Sequence, residues 1–101
     1  TFGLEFTLNK AIKTENQGLC CKLEMIGDIL SSRTLDDISY INNILNTFIN
    51  NIGIPLGLNE HGILAENIPT LAKLAFEDSC HVTHPFPVTM EDFTAVYTRA
   101  L

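Results

Sequence analysis

The sequence predicts an all-α protein, a helical bundle of about five helices that forms one domain over residues 1–101. Apolar residues recur every three or four positions along most of the chain, which is the period of an amphipathic helix. No segment alternates between apolar and polar residues with the period of two that marks a half-buried strand. Glycine and proline fall between the periodic segments, for example at Gly53 and Pro55, and separate one predicted helix from the next.

Two amphipathic helices are predicted first, over residues 4–13 and 19–30, with Gly18 as the break between them. Each has an apolar stripe at helical spacing, which indicates one face turned towards a core. The stripe residues are Leu4, Leu8, Ala11 and Ile12 in the first helix and Leu19, Leu23, Ile26 and Leu30 in the second.

A third helix is predicted over residues 35–51, and it has clear signals at both ends. Thr34 lies three residues before Asp37, an arrangement in which a hydroxyl caps the first turn. Gly53 suits the left-handed residue that follows a helix, and Pro55 prevents its continuation. The apolar stripe is Leu35, Ile38, Ile41, Leu45, Phe48 and Ile52, and the opposite face carries Asn42, Asn43, Asn46 and Asn50.

The second half of the chain predicts a connection, a fourth helix, a loop and a fifth helix. Residues 56–64 form the connection, with one short turn, and the fourth helix begins near Asn67 with Pro69 in its first turn. Pro85 and Pro87 favour an extended loop over residues 79–88, and Thr89 is placed to cap the last helix. The predicted inner face of the fourth helix is Leu71, Leu74 and Ala75, and the stripe of the fifth is Phe93, Val96, Tyr97 and Leu101.

Composition narrows the classes of function. The net charge is −6 and the 6 lysine and arginine residues are scattered, which argues against a protein that binds nucleic-acid phosphates. No apolar run reaches the roughly 18 residues of a membrane span. The three cysteines have no regular spacing and indicate reduced thiols of a cytoplasmic protein. An apolar fraction of 46% with 18% charged residues suggests that some apolar surface contacts a neighbour.

The residue types that bind metals cluster once, as Cys80, His81 and His84 with Glu77 and Asp78 beside them. Cysteine and histidine are zinc ligands, but adjacent residues such as Cys80 and His81 rarely face one ion, and Pro85 holds His84 in extended chain. The favoured interpretation is an ordered loop with exposed histidines. No glycine-rich phosphate loop and no nucleophile motif occurs, so no catalytic, cofactor-binding or metal-binding residue is assigned to this chain.

Four short signals in the second half keep a set order and spacing. They are Gly53-Ile54-Pro55, Ile68-Pro69-x-Leu71-Ala72, Asp78-Ser79-Cys80 and the run from His84 to Asp92, HPFPVTMED. The series resembles the carboxy-terminal end of the iron-containing (group III) alcohol dehydrogenases, which typically close with GIP, DIP-x-L-A, D-x-C and N-P-R-P-V-T-x-E-D. The resemblance implies the fold of the carboxy-terminal helical domain shared by these enzymes and the dehydroquinate synthase-like proteins.

The resemblance also implies an enzyme whose catalytic parts mostly lie outside this chain. In that family an amino-terminal α/β domain binds NAD(P), and iron or zinc, held by one Asp and three His, polarises the alcohol oxygen while hydride passes to the nicotinamide. None of those four ligands is assigned here. The chain is therefore expected to be the C-terminal helical segment of an NAD(P)-linked alcohol dehydrogenase, inactive by itself, with the missing N-terminal domain as its partner.

By resemblance, three residues of the loop before the last helix lie near the substrate pocket: Cys80, Thr83 and His84. His84 and Phe86 stand where the family usually has Asn and Arg, so a charged corner has become an aromatic one. Near the start, Phe2-Gly3 falls about where the family carries its last metal-binding His and a Gly. Either Phe2 occupies the ligand position and one metal contact is lost, or the chain begins just past the ligands.

Two other readings of the sequence compete with the enzyme segment. One is a free-standing helical interaction module that uses its apolar surface to bind a partner helix or to form a homo-oligomer. The other is a degenerate relative without iron chemistry. The sequence leaves open the substrate, the choice between NAD and NADP, the metal and the oligomeric state.

Overall fold

The regular structure is helical throughout residues 2–31 and 40–101, the part of the chain that the computed structural model describes. These described residues contain five α-helices: α1 Phe2–Lys13, α2 Gln17–Ser31, α3 Ile41–Asn51, α4 Ile68–Glu77 and α5 Met90–Ala100. Between α3 and α5 lie three short 3-10 helices, at Leu58–His61, Ala65–Asn67 and Ser79–Thr83. The prediction of an all-α protein with about five helices is confirmed.

The chain divides into two compact units, which take in residues 3–54 and 55–101. In the first unit α2 packs against α3, and the buried apolar residues are Leu8, Ala11, Leu23 and Ile41. In the second unit α4 packs against α5, and Ile68, Ala72 and Ala100 are buried. The expectation that residues 1–101 form one domain stays a prediction.

The boundary between α1 and α2 differs from the prediction. Gly18 lies inside the first turn of α2 and does not interrupt the helix. The break falls earlier, at Glu15, whose φ of 53° is left-handed. Asn16 then caps α2, because its Oδ1 accepts a hydrogen bond from the Leu19 N–H at 3.1 Å. An asparagine cap therefore starts the helix two residues before the predicted position.

Helix α3 ends as predicted. Its last residue is Asn51, and Gly53 follows with a φ of 76°. The Gly53 N–H donates to the Asn50 carbonyl at 3.0 Å, and the Ile54 N–H donates to the Ile49 carbonyl at 3.2 Å. These two bonds form a Schellman motif, which needs a left-handed residue and therefore favours glycine. The predicted first turn of this helix, with its Thr34 cap, lies outside the described residues.

The faces of α3 match the prediction only in part. Ile41 is fully buried, whereas Phe48 and Ile52 are 52% and 54% exposed. Asn42 and Asn46, predicted on the outer face, are half-buried. Their Oδ1 atoms are buried and have no hydrogen-bond partner within the described residues.

Helix α4 begins at Ile68, which is also one of its buried residues. The helix starts directly after Asn67, as predicted, with Pro69 in its first turn. Ile68 and Ala72 are buried one turn apart, but Leu74 is 58% exposed. The predicted inner face is therefore wrong for Leu74, which lies on the side of the helix opposite to Ala72 because two residues correspond to about 200° of rotation.

The predicted cap of α5 is confirmed. The Thr89 Oγ1 accepts a hydrogen bond from the Asp92 N–H at 3.2 Å, and the Asp92 Oδ2 accepts one from the Thr89 N–H at 3.0 Å. This reciprocal pair is a capping box, which satisfies two backbone donors at the start of the helix. The short turn predicted within residues 56–64 is the 3-10 helix Leu58–His61. Among the described helices, none has the length and apolar character that crossing a membrane requires.

Candidate functional site

All three predicted pocket residues lie on the segment that joins α4 to α5, residues 78–89, called here the α4–α5 loop. Ser79–Thr83 forms a 3-10 helix, so the prediction of an extended loop is wrong for these five residues. Pro85 and Pro87 restrict only themselves and the residues just before them. His84, the residue before Pro85, is accordingly extended, with φ −66° and ψ 143°.

Asp78 starts this 3-10 helix. Its Oδ1 accepts a hydrogen bond from the Cys80 backbone N–H at 2.8 Å, which satisfies a donor that has no partner within the helix. The Thr83 hydroxyl then donates to the Cys80 carbonyl at 2.9 Å. Both backbone polar groups of Cys80 are therefore hydrogen-bonded, the N–H to Asp78 and the carbonyl to Thr83, which lies one turn further along the chain.

His81 connects the loop to both neighbouring helices. Its ring stacks on that of Phe76 from α4, with centroids 5.2 Å apart, and meets the ring of Phe93 from α5 edge-on at 5.7 Å. Its Nδ1 lies 2.6 Å from the Asp78 carbonyl oxygen. The sequence predicts His81 only as a weak metal-ligand candidate, because no local pattern indicates its contacts with Phe76 and Phe93.

His84 folds back on Phe86. The His84 Nδ1 lies 3.0 Å from the Phe86 carbonyl oxygen and 3.2 Å from the Phe86 backbone nitrogen. The two contacts require opposite states of Nδ1, since a protonated Nδ1 donates to the carbonyl and a bare one accepts from the N–H. The rings are tilted against each other with centroids 6.1 Å apart. The aromatic corner predicted from the sequence is thus formed by two residues in contact.

The side chains of the three predicted pocket residues differ in exposure. Cys80 and Thr83 are exposed, and His84 is half-buried. The structure places them on one short loop that local hydrogen bonds shape. Their role beside a substrate stays a prediction.

Asp78 and Cys80 alter each other's proton affinity. Hydrogen bonds from the Cys80 side chain and backbone lower the pKa of the Asp78 carboxyl. Hydrogen bonding to Asp78, and then its negative charge, raise the pKa of the Cys80 thiol. Because the thiolate is the reactive form of cysteine, Cys80 is a protonated, polar side chain at neutral pH and is poorly suited to act as a nucleophile.

Replacing Asp78 should make Cys80 more reactive. In Asp78→Asn the amide oxygen can still accept from the Cys80 N–H, but the charge is gone, so the pKa of the thiol falls. With Cys20 and Cys21 changed to serine, we expect the pH profile of Cys80 alkylation to move to lower pH and the rate at pH ~8 to rise severalfold. Glu77→Gln, which removes the preceding carboxylate, is the matched control. An unchanged profile in Asp78→Asn would show that the negative charge of Asp78 does not raise the pKa of the thiol.

The described residues do not form a metal centre. No group of three or more His, Cys, Asp and Glu side chains in residues 2–31 and 40–101 is arranged to hold an ion. Both loop histidines direct Nδ1 towards backbone atoms, His81 at Asp78 and His84 at Phe86. The described residues do not by themselves supply the full ligand set of an iron ion of the kind that the resemblance implies.

Comparison with known families gives one match over nearly the whole chain. Residues 3–101 match the model described as Fe-containing alcohol dehydrogenase family, C-terminal. No solved structure matches the chain.

Several curated proteins are similar over about half of the chain. An NAD-dependent methanol dehydrogenase of Bacillus methanolicus is 40% identical over 57 residues, which is 56% of this chain and 15% of that protein. Alcohol dehydrogenase 4 of Saccharomyces cerevisiae is 36% identical over 58 residues, 57% of this chain and 14% of its own length. Lactaldehyde reductase of Escherichia coli is 39% identical over 49 residues, 48% and 13% respectively. The match thus spans about one seventh of the length of these relatives.

Proposed function

The chain belongs to the Fe-containing alcohol dehydrogenase family, to its C-terminal part, and from this premise we propose that it is the C-terminal helical segment of an iron-dependent, NAD(P)-linked alcohol dehydrogenase. The intact enzyme oxidises a small alcohol or reduces an aldehyde or ketone. The observation that carries the proposal is the family match over residues 3–101. The names of the similar proteins, a methanol dehydrogenase, an alcohol dehydrogenase and a lactaldehyde reductase, support the same reaction class.

We assign the metal and the cofactor to other parts of the intact protein. Iron, or zinc in its place, needs a set of side-chain ligands, and the described residues gather no such set. NAD(P) is assigned to an N-terminal nucleotide-binding domain, which is the proposed partner of this chain. Exposed apolar side chains support a neighbour of this kind, since Met25 and Ile29 lie one turn apart on α2 and are 64% and 76% exposed.

Within the intact enzyme, the proposed role of this chain is to shape the substrate pocket. The α4–α5 loop supplies Cys80, Thr83 and His84 as pocket residues. Raised thiol pKa favours a neutral Cys80, which suits contact with a substrate better than attack on it. We propose no catalytic residue in this chain. The three free cysteines support a cytoplasmic location, where thiols stay reduced.

Alcohol turnover by the intact protein tests this function. The purified protein that contains this chain is supplied with small primary alcohols and with NAD⁺ or NADP⁺, before and after treatment with a chelator. We expect reduced nicotinamide to form, to stop when the metal is removed, and to resume when Fe²⁺ or Zn²⁺ is returned. Absence of turnover with metal present, or a rate of turnover that the chelator does not lower, would contradict the proposal.

A further inference from the structure

One side chain of the α4–α5 loop, His81, touches both flanking helices. The His81 ring is half-buried and lies between Phe76, near the end of α4, and Phe93, in the first turn of α5. The contact with Phe76 is a stack with an interplanar angle of 23°, and the contact with Phe93 is edge-to-face at 88°. Both geometries are favourable for aromatic rings.

At the ends of the loop, Asp78 donates its N–H to the Leu74 carbonyl of α4 at 3.1 Å and Thr89 pairs with Asp92 of α5. The hydrogen bonds of residues 79–87, between these ends, stay within the loop. Cys80 with Asp78, Thr83 with Cys80, and His84 with Phe86 each join residues two or three positions apart. Such bonds fix the local shape of the chain but do not hold it against a helix. The His81 ring makes contacts of the other kind, since Phe76 and Phe93 belong to different helices.

We infer that His81 is the positioning residue of the loop. Its ring packs between Phe76 and Phe93, and this contact keeps Cys80, Thr83 and His84 in place against α4 and α5. Cys80 is its neighbour in the chain, and the His84 N–H donates to the His81 carbonyl at 3.0 Å. A displacement of His81 therefore moves all three residues. The consequence for substrate binding rests on the proposed function, whereas the anchoring of the loop does not.

Three substitutions distinguish the ring contacts of His81 from its Nδ1 contact. His81→Ala removes both the ring contacts and the Nδ1 contact with the Asp78 carbonyl. His81→Phe keeps a ring and loses only the Nδ1 contact. Phe76→Leu leaves His81 in place and removes the stacked partner, and it should fold because Phe76 is 39% exposed. His61→Ala is the matched control, a histidine of another 3-10 helix in the same unit that contacts the Pro55 carbonyl at 3.1 Å.

Hydrogen–deuterium exchange of the intact protein, followed by mass spectrometry, measures how often the loop opens. Loss of two aromatic contacts should speed exchange in a peptide covering residues 79–86 about tenfold in His81→Ala. Phe76→Leu should speed it severalfold, and His81→Phe should stay within about twofold of the parent protein. Peptides from α4 and α5, and the His61→Ala protein, should be unchanged.

Several results would overturn the inference. Unchanged exchange at residues 79–86 in both His81→Ala and Phe76→Leu would show that the ring does not hold the loop. Equal acceleration across α4 and α5 would show general destabilisation of the unit. Equal acceleration in His81→Phe and His81→Ala would assign the anchoring to the Nδ1 contact and not to the ring.

Steady-state kinetics then test the link to the site. We expect His81→Ala to raise KM for the alcohol more than it lowers kcat, and His81→Phe to restore KM. Unaltered KM alongside faster exchange would contradict a positioning role. If no variant and not even the parent protein oxidises alcohols, the proposed function fails, while the exchange data still decide whether His81 anchors the loop.

Discussion

Ile68→Ala should destabilise the chain by about 2–5 kcal/mol, the usual range for an isoleucine truncated in a core. Ile68 is 5% exposed and lies in the first turn of α4, the helix that packs against α5. Few residues are buried in this unit, so little other apolar packing compensates for the loss. Since a domain of this size is stable by only about 5–15 kcal/mol, thermal unfolding should shift down by about 10–20 °C.

Leu74→Ala is the matched control for this prediction. Leu74 lies on the same helix as Ile68, and truncation to alanine removes the same number of carbon atoms from both. Leu74, however, is 58% exposed. Its truncation should cost less than about 1 kcal/mol, because most of its surface is already in water. Equal losses at Ile68 and Leu74 in the 101-residue chain would show that α4 does not pack through the face described here.

The second large effect is the complete loss of turnover on isolation of the chain. Purified residues 1–101 should reduce neither NAD⁺ nor NADP⁺ with any alcohol above the buffer rate, whereas the intact protein should turn over. The reason is that binding of the metal and the nucleotide is assigned to other residues, and those groups carry out the chemistry of such a reaction. The measurement is formation of reduced nicotinamide at matched protein concentrations.

A folded sample is the control for that experiment. Helical circular dichroism with a cooperative thermal transition must accompany the absence of turnover. Alcohol-dependent reduction of the nucleotide by the folded isolated chain would contradict the assignment and would require a complete active site within these residues.

Local signals predicted helix ends well because their physics is local. The pair Thr89 and Asp92 and the left-handed Gly53 act within one turn of chain, so their residue types are sufficient to recognise them. The break predicted at Gly18 is wrong. The cap at Asn16 already starts α2, and a helix tolerates one glycine in its first turn.

Helix faces were less predictable because they depend on the packing partner. In α4 the apolar positions surround much of the helix. The helix packs against α5 and the adjacent 3-10 helices with Ile68 and Ala72 buried, and it leaves Leu74 in water. The spacing of three and four identifies a helix in such a segment but does not fix which face is inside.

In the candidate site, too, the sequence predicts what depends on local residues and not what depends on packing. Resemblance to a family predicts Cys80, Thr83 and His84 as pocket residues, and in the structure they share one hydrogen-bonded loop. The contact of His81 with Phe93 joins two residues on either side of most of the loop. It depends on the packing of α4 against α5, which no local pattern in the chain specifies.

The coding sequence immediately upstream of Thr1 tests the central claim most directly. If the chain is the C-terminal segment of an iron-dependent alcohol dehydrogenase, that sequence encodes a glycine-rich nucleotide-binding domain followed by an Asp and three His in helical segments. A nucleotide-binding domain with broken ligands would contradict the iron chemistry and favour a degenerate relative. A start codon directly before Thr1 would contradict the enzyme segment altogether and leave a free-standing helical module.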